Sequence, residues 1–193
     1  FSVHNALGVI AAASCLGLCL DKCAQALATA RGVKGRMEPV PTDGDYSIII
    51  DYSHKPDALE NVLKTLRPIT RNRLIVVFGC GGDRDRLKRP IMGAIAADNA
   101  DLVVVTSDNP RTENPMDIIN EILPGLKNRH TPYKVICDRR EAIAWAIDKA
   151  GPGDVILLAG KGHEDYQIIG HERVHMDERE IVAQHLEKRN TVR

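Results

Sequence analysis

The stretch Leu74-Ile75-Val76-Val77-Phe78-Gly79-Cys80-Gly81-Gly82 decides the fold class. Its five consecutive apolar residues predict a strand buried on both faces, and the glycines that follow predict a tight turn. Similar apolar runs occur near residues 46–50, 102–106, 133–137 and 154–159, and helical patterns separate the runs near 56–67, 89–99, 115–127 and 139–150. This alternation indicates an α/β fold with a doubly wound, mostly parallel sheet that carries helices on both faces.

The two ends of the chain depart from this alternation. Residues 4–31 are rich in Ala and Leu and predict two helices. After them the Ala- and Leu-rich sequence gives way to short apolar runs with β-branched residues. We therefore expect one domain over residues 1–34 and a second over residues 35–193. The other predicted elements are a short segment at 35–40, hairpin strands at 166–169 and 173–175, and a final helix over 177–188.

The composition excludes several classes of protein. The 193 residues carry 26 Lys and Arg against 26 Asp and Glu, so no net charge draws the chain to nucleic acid or to an anionic membrane. Charged residues interrupt every apolar run before the roughly 20 residues that span a bilayer. Five cysteines, an odd number without framework spacing, indicate a reducing compartment. We expect a cytoplasmic monomer with no nucleic-acid or membrane partner.

The amino-terminal sequence supports two further expectations. The chain starts at Phe1, without Met or a basic n-region, so we expect no secretory signal and a piece of a longer protein. Cys15, Cys19 and Cys23 recur every four residues and are expected to pack as small apolar side chains rather than to bind a metal ion.

Residues with chemical function follow four of the predicted strands, at the edge where open α/β sheets bind ligands. The four segments are Asp51-Tyr52-Ser53-His54, Gly79-Cys80-Gly81-Gly82-Asp83-Arg84-Asp85, Ser107-Asp108-Asn109-Pro110-Arg111 and Gly160-Lys161-Gly162-His163-Glu164-Asp165. Surface loops are commonly polar, and this alone could account for any one of these segments. It accounts less well for four such segments at successive strand ends. We therefore predict one ligand site built from the four loops.

The glycine loop favours anion recognition over dinucleotide binding. Gly79, Gly81 and Gly82 resemble part of a dinucleotide-binding fingerprint, but Arg84 stands where its third glycine belongs. A nicotinamide or flavin role is therefore disfavoured. The guanidinium of Arg84, on a loop with little steric bulk, is suited to gripping a carboxylate through two hydrogen bonds.

The other three loops each allow a functional and a structural interpretation. Pro110 stiffens its loop, so Arg111 either helps to recognise a charged group or is a solvated charge beside a helix N-cap. Lys161 could contact a phosphate and Glu164 an ammonium group, or both are surface charges in a hinge. Asp51 suits a ribose hydroxyl pair and His54 a phosphate oxygen. Because no Walker loop occurs, most of any ATP phosphate cradle must come from another segment.

Read together, these loops resemble the carboxy-terminal part of the Mur ligases, and in particular the members that add diaminopimelate. The strings that carry the resemblance are Gly35-Arg36-Met37-Glu38, Asp51-Tyr52-Ser53-His54-Lys55-Pro56, Phe78-Gly79-Cys80-Gly81-Gly82-Asp83-Arg84-Asp85, Lys88-Arg89-Pro90, Asp108-Asn109-Pro110-Arg111-Thr112 and Gly160-Lys161-Gly162-His163-Glu164-Asp165. They occur in family order across nearly the whole chain. Ser53 and Lys55 depart mildly from the family string, which usually has Ala and Thr there.

The resemblance implies a fold, an activity and cofactors. The fold would be a Rossmann-like sheet preceded by helices from the end of a central ATPase domain. The activity of the parent would be the ATP-dependent addition of meso-2,6-diaminopimelate to UDP-N-acetylmuramoyl-L-alanyl-D-glutamate through an acyl phosphate, with ATP and Mg²⁺ held mainly by missing domains. The resemblance leaves open a lysine-adding ligase, or a module that binds a diamino acid without catalysis.

The resemblance also implies roles for individual residues. Arg84, Asn109 and Arg111 would hold the distal carboxylate of diaminopimelate, with Asp108 and Pro110 in the same recognition motif, and Gly160 and Glu164 would bind its distal ammonium. Contacts to ATP would come from Asn5, Arg36, Asp51, Tyr52 and His54. No catalytic residue and no metal ligand is assigned within the chain, and these residues alone are expected not to catalyse ligation.

Overall fold

A computed structural model describes residues 2–30 and 32–192, and it divides the chain into two compact units, 1–32 and 33–193. In the first unit, helix α1 (Ser2–Cys15) is followed by helix α2 (Leu20–Ala28). No described side chain of residues 3–30 is buried, because two short helices enclose no core of their own. Cys15 and Cys19 are exposed, so the expectation that they pack is wrong.

The second unit contains a six-stranded sheet, and this confirms the predicted fold class. Its strands are β1 (Glu38–Val40), β2 (Ser47–Asp51), β3 (Leu74–Phe78), β4 (Leu102–Val105), β5 (Tyr133–Val135) and β6 (Val155–Ala159). The strand order is β1-β2-β6-β3-β4-β5; β1 runs antiparallel to β2 and the other pairs are parallel. The sheet is therefore mostly parallel, as the apolar strands indicate.

Helices cover both faces of this sheet. They are α3 (Pro56–Leu66), α4 (Lys88–Asn99), α5 (Pro115–Ile122), α6 (Arg139–Lys149) and α7 (Glu178–Val192). Helices α3, α4 and α5 pack on one face with Val76 and Phe78, whereas α6 and α7 pack on the other with Ile75 and Val77. Successive residues of β3 thus point into two separate cores, which is why its sequence is continuously apolar.

Two elements differ from the predicted bounds. Helix α5 ends at Ile122 and continues only as a 3₁₀ turn over Leu123–Gly125, because Pro124 lacks the amide that an α-helix interior requires. Helix α7 extends to Val192 rather than ending near residue 188. Strands β7 (Tyr166–Ile169) and β8 (Glu172–His175) form the expected hairpin as a separate two-stranded sheet.

The connections bring four loops to one edge of the sheet. The chain leaves β2 and passes through β3, β4 and β5 in one direction, and it then returns to insert β6 between β2 and β3. The carboxyl ends of β2, β6, β3 and β4 are consequently neighbours. A reversal of this kind opens the crevice in which doubly wound sheets bind ligands.

Candidate functional site

A pocket of about 590 Å³ lies at these strand ends. All four polar loops contribute to its wall, as the sequence predicts for a single site. The predicted residues that line it are Tyr52, His54, Arg84, Asp108, Asn109, Arg111, Gly160 and Glu164. Three others, Arg36, Asp51 and Pro110, are not part of its lining, and Asn5 lies on α1 in the first unit.

The backbone of Arg111 is held by the β7–β8 hairpin. Its amide donates to the carbonyl of Ile168 at 3.0 Å, and its carbonyl accepts from the amide of Gly170 at 2.7 Å. Arg111 has a φ of 52°, a left-handed conformation that is uncommon for a residue with a side chain. The hairpin bonds therefore compensate for a strained backbone and fix the direction in which the side chain leaves the loop.

The guanidinium of Arg111 lies against the glycine loop. Its Nη1 donates to the carbonyl of Gly82 at 2.8 Å, and the amide of Gly82 donates to the carbonyl of Asn109 at 2.9 Å. A methyl group on Gly82 would stand 1.9 Å from the carbonyl oxygen of Pro110. Glycine is required here because two loop backbones approach each other closely, and this is how Pro110 contributes to the site.

Asn109, Lys161 and Glu164 form a bonded cluster in the wall of the pocket. Nζ of Lys161 donates to Oδ1 of Asn109 at 2.8 Å and to Oε2 of Glu164 at 2.7 Å, and Nδ2 of Asn109 donates to the same Glu164 oxygen at 2.9 Å. Lys161 is 0% exposed. It is not a surface charge, so the structural interpretation that the sequence left open for it is wrong.

The charge of Glu164 is maintained by this cluster. Burial opposes its ionisation, but hydrogen bonds from Lys161 and Asn109 outweigh that effect and hold the pKa of Glu164 below its ordinary value. Burial and the nearby Glu164 carboxylate raise the pKa of Tyr52, whose hydroxyl lies 3.5 Å from Oε1 of Glu164. At neutral pH the pocket therefore contains a carboxylate beside a neutral phenol.

Arg84 supplies a second guanidinium to the pocket. The side chain is exposed, and within residues 2–30 and 32–192 no carboxylate forms an ion pair with it. Its loop is fixed by the preceding residue, because Asp83 accepts from Oγ1 of Thr112 at 2.7 Å and donates its amide to Glu113 at 2.6 Å. Arg84 thus projects from an anchored backbone with its charge available to a ligand.

A buried ion-pair network ties the same loops to the helices behind them. Arg89 on α4 is fully buried and donates to Glu113 at 2.8 Å, to Glu121 at 2.7 Å and to the carbonyl of Gly81 at 3.3 Å. Its hydrogen bonds lower the pKa of Glu113 to about 2. The network joins the glycine loop, the start of α4 and the segment after Arg111 into one rigid wall.

Of the residues expected to contact ATP, Tyr52, His54 and Arg36 lie against one another, whereas Asp51 is buried. The ring of Tyr52 stacks beside His54 at 4.6 Å between centroids, and the guanidinium of Arg36 lies 5.0 Å from the Tyr52 ring. Asp51 is only 4% exposed, and its two oxygens accept from the amide of Met37 and from the hydroxyl of Ser53. Asp51 therefore braces the loop that carries Tyr52 and His54.

One buried ion pair behind the site loops could not be identified from the sequence. Arg139, the first residue of α6, donates to Glu178 of α7 at 2.8 Å and to the carbonyl of Ala159 at 2.8 Å. It also lies 3.5 Å from the carbonyl of Ser107. Ala159 and Ser107 directly precede Gly160 and Asp108, so this pair supports two of the site loops from below. Only the charged helix start was visible in the sequence.

The described residues contain neither a metal-binding cluster nor a membrane-spanning helix. Over residues 2–30 and 32–192, no group of three or more His, Cys, Asp or Glu side chains is arranged to hold a metal ion. Within the same ranges, no helix combines the length and the apolar character needed to cross a membrane.

Comparison with known proteins agrees with this geometry. Residues 35–162 match the family described as Mur ligase, glutamate ligase domain. The chain belongs to the Mur ligase family. Among curated Mur ligases, it is 54% identical over 191 residues to the UDP-N-acetylmuramoyl-L-alanyl-D-glutamate–2,6-diaminopimelate ligase of Thermosynechococcus vestitus, covering 98% of this chain and 38% of that protein. The Clostridioides difficile ligase of the same name is 50% identical over 188 residues, covering 97% and 39%.

Solved Mur ligase structures show the same architecture. A UDP-N-acetylmuramoyl-L-alanyl-D-glutamate–2,6-diaminopimelate ligase superposes with a TM-score of 0.76 at 40% identity, covering 98% of this chain and 39% of that one. The UDP-N-acetylmuramate-alanine ligase of Thermotoga maritima superposes with a TM-score of 0.70 at 23% identity, covering 100% and 38%, which shows the shared fold. This Mur ligase chain spans about two fifths of the length of the curated relatives described above.

Proposed function

We propose that this chain is the amino-acid-binding, carboxy-terminal part of an ATP-dependent ligase that adds meso-2,6-diaminopimelate to UDP-N-acetylmuramoyl-L-alanyl-D-glutamate. The observation that carries the proposal is the charge arrangement of one pocket, in which the guanidinium groups of Arg84 and Arg111 and the carboxylate of Glu164 line the same wall. The distal end of diaminopimelate bears one carboxylate and one ammonium, and these are the complements of those groups.

Each loop has a part in this assignment. The two guanidinium groups pair with the distal carboxylate, where charge-assisted hydrogen bonds are strongest. Asn109 adds an amide donor beside them, and Asp108 shapes the loop that carries it. Glu164 accepts the distal ammonium. Gly160 lines the pocket beside it, and glycine is required there because φ is 115° and a side chain would stand 2.7 Å from Oδ2 of Asp108.

The same arrangement supports selection against lysine. Lysine matches the distal ammonium of diaminopimelate but lacks the distal carboxylate. Binding lysine would exclude water from Arg84 and Arg111 without giving either guanidinium a carboxylate partner, and an uncompensated charge in a closed site is costly. A lysine-adding activity is therefore the less favoured alternative.

ATP and Mg²⁺ enter this proposal through the family. We propose that residues 1–34 are the last helices of a central ATP-binding domain and that residues 35–193 form the amino-acid-binding domain. Tyr52 and His54, which line the pocket, and Arg36 beside Tyr52 suit nucleotide contacts, as Asn5 does by resemblance. Asp51 would act indirectly, through the loop it braces. ATP would supply the phosphoryl group that activates a carboxylate for attack by the amine of diaminopimelate, and the chain alone is expected not to ligate.

Calorimetric titration with meso-diaminopimelate and with lysine tests the proposal. We expect the chain to bind diaminopimelate and to release no heat with lysine. Arg111→Ala should weaken diaminopimelate binding by about 10- to 100-fold, because a charged hydrogen-bond pair contributes about 1.5–3 kcal/mol. Arg71→Ala is the matched control, since it removes an exposed arginine that pairs with Asp45 outside the pocket.

Three outcomes would count against the proposal. Equal binding of lysine and diaminopimelate would favour a lysine-adding ligase. Unchanged affinity in Arg111→Ala would exclude that residue from carboxylate recognition. Absence of binding to either amino acid would contradict the assignment of the amino-acid site to this chain by itself.

A further inference from the structure

Lys161 is a buried cation whose contacts explain how the pocket wall is ordered. Its side chain is 0% exposed, and an ammonium group is buried at such a position only when it is paired and hydrogen-bonded. Nζ bonds to Asn109 and Glu164 and lies 5.3 Å from the ring centroid of Tyr166. Because the side chain is buried and its hydrogen bonds go to Asn109 and Glu164, we look for the role of the ammonium group in the residues it holds.

The first consequence concerns the orientation of the Asn109 amide. Oδ1 accepts two hydrogen bonds, from Nζ of Lys161 at 2.8 Å and from the amide of Ile168 at 2.9 Å. A flipped amide would place its NH₂ group against both donors. Lys161 and the hairpin amide therefore hold the Asn109 amide in the orientation that turns Nδ2 toward Glu164, where its second hydrogen remains for a ligand.

The second consequence concerns the two oxygens of Glu164. Oε2 accepts from Lys161 at 2.7 Å and from Asn109 at 2.9 Å, whereas among the described residues Oε1 has only the hydroxyl of Tyr52 at 3.5 Å. A carboxylate oxygen with one long contact retains capacity for a stronger donor. The lysine thus engages one oxygen and leaves the other available at the pocket.

We propose that Lys161 is a positioning residue that fixes which atoms of Asn109 and Glu164 face the pocket, leaving Nδ2 of Asn109 to donate to the ligand and Oε1 of Glu164 to accept its ammonium. The proposal rests on the proposed function for the identity of the ligand. The other titratable groups around Glu164 are Tyr52, Asp108, His163 and Tyr166. Lys161 is the only amine that bonds to it within the described part of the chain.

The first test needs no ligand. The pH dependence of the carboxyl ¹³C shift of Glu164 is measured by NMR in the wild-type chain and in Lys161→Met, which keeps the length of the side chain and removes its charge. The wild-type pKa should lie below the ordinary value for glutamate and the variant pKa above it, because burial, the largest effect, is then opposed mainly by the weaker bond from Asn109. Lys161→Arg, which keeps the charge, should restore the low pKa, and Lys134→Met on exposed β5 is the control.

The second test measures diaminopimelate affinity by calorimetry from about pH 5 to about pH 8. Glu164 stays ionised in the wild type across this range, so its contribution to affinity should be constant. In Lys161→Met, affinity should be at least about tenfold weaker at the acid end, where the raised pKa protonates Glu164, and should recover as pH rises. A residue that only filled space would weaken binding equally at every pH.

The outcomes separate this proposal from the proposed function. If Glu164 titrates alike in wild type and Lys161→Met, or if both bind diaminopimelate with one pH profile, Lys161 is not a positioning residue. If the pKa moves but neither chain binds diaminopimelate, the positioning of Glu164 stands and the proposed ligand is wrong. If Lys161→Met does not fold, the wild-type titration decides, because a Glu164 pKa above the ordinary value would overturn the proposal.

Discussion

Arg111 is held in place by hydrogen bonds to both its backbone and its guanidinium. Its left-handed backbone, with a φ of 52°, is supported by hydrogen bonds to Ile168 and Gly170. Its guanidinium is already bonded to the carbonyl of Gly82. A group held in its binding geometry loses little conformational entropy when the ligand binds, so more of the interaction energy appears as affinity.

A substitution at Gly81 tests whether the position of the Arg111 guanidinium matters for binding. A methyl group at this position would stand 2.8 Å from Nη1 of Arg111, and the far end of that side chain can move away. We expect Gly81→Ala to leave the melting temperature nearly unchanged while weakening diaminopimelate binding about tenfold through the displaced guanidinium. Gly151→Ala, whose nearest atom would be 3.8 Å away on Asp154, is the control for both measurements. Wild-type affinity in Gly81→Ala would show that the guanidinium does not need its present position.

At the scale of elements, helices α6 and α7 are joined by charges as well as by apolar packing. Arg139 and Glu178 are both fully buried and pair at 2.8 Å, and Arg139 also bonds to the carbonyl of Ala159 at the end of β6. Oε2 of Glu178 is buried without a hydrogen-bond partner among the described residues. The pair therefore balances two desolvated charges against each other at the end of β6.

Removing one member of this pair should be far more damaging than removing both. Arg139→Met leaves Glu178 buried and uncompensated, and we expect the free energy of unfolding in urea to fall by about 3–5 kcal/mol. The double variant Arg139→Met with Glu178→Leu should recover most of that loss. Arg140→Met, at the exposed next position, should change stability by less than about 1 kcal/mol. A single variant as stable as the double variant would mean that the pair is not energetically coupled.

The strands and the residues that meet at their ends could be predicted from the sequence, whereas the burial of individual site residues could not. Continuous apolar runs such as Leu74–Phe78 predict parallel strands because both faces of the sheet are covered. The loops after those strands identify Arg84, Arg111 and Glu164 as neighbours, because parallel strands end at one edge. Lys161 could not be predicted as buried, since a glycine-rich charged loop normally faces water. Its burial results from packing against Asn109, which lies 52 residues earlier in the chain, and against Tyr166 of the hairpin.

At the scale of the whole molecule, the chain consists of two units of unequal character. Both hydrophobic cores of the second unit are made of residues from Met37 onward. The described side chains of residues 3–30 are all at least partly exposed. The stability of the second unit therefore has its source within residues 33–193.

Deleting residues 1–32 tests this independence. We expect residues 33–193 to unfold cooperatively with a melting temperature within about 2 °C of that of the full chain, because no core side chain is removed. Diaminopimelate affinity should also be retained, since every residue assigned to that amino acid lies after Gly32. The measurements are thermal unfolding by circular dichroism and calorimetric titration of both chains. A fall of more than about 4 °C, which corresponds to at least about 1 kcal/mol, would show that the helices stabilise the second unit.

The loop Asp108–Arg111 is hydrogen-bonded to the β7–β8 hairpin, so the two segments would have to be transplanted together in protein engineering. Gln167 donates to the carbonyl of Asp108 at 2.6 Å, and Ile168 bonds to both Asn109 and Arg111. The loop and the hairpin come from parts of the chain more than fifty residues apart. A graft of the four loop residues into a lysine-adding relative would lack those bonds and lose the backbone shape they support. The smallest segment to transplant is therefore the loop together with its hairpin.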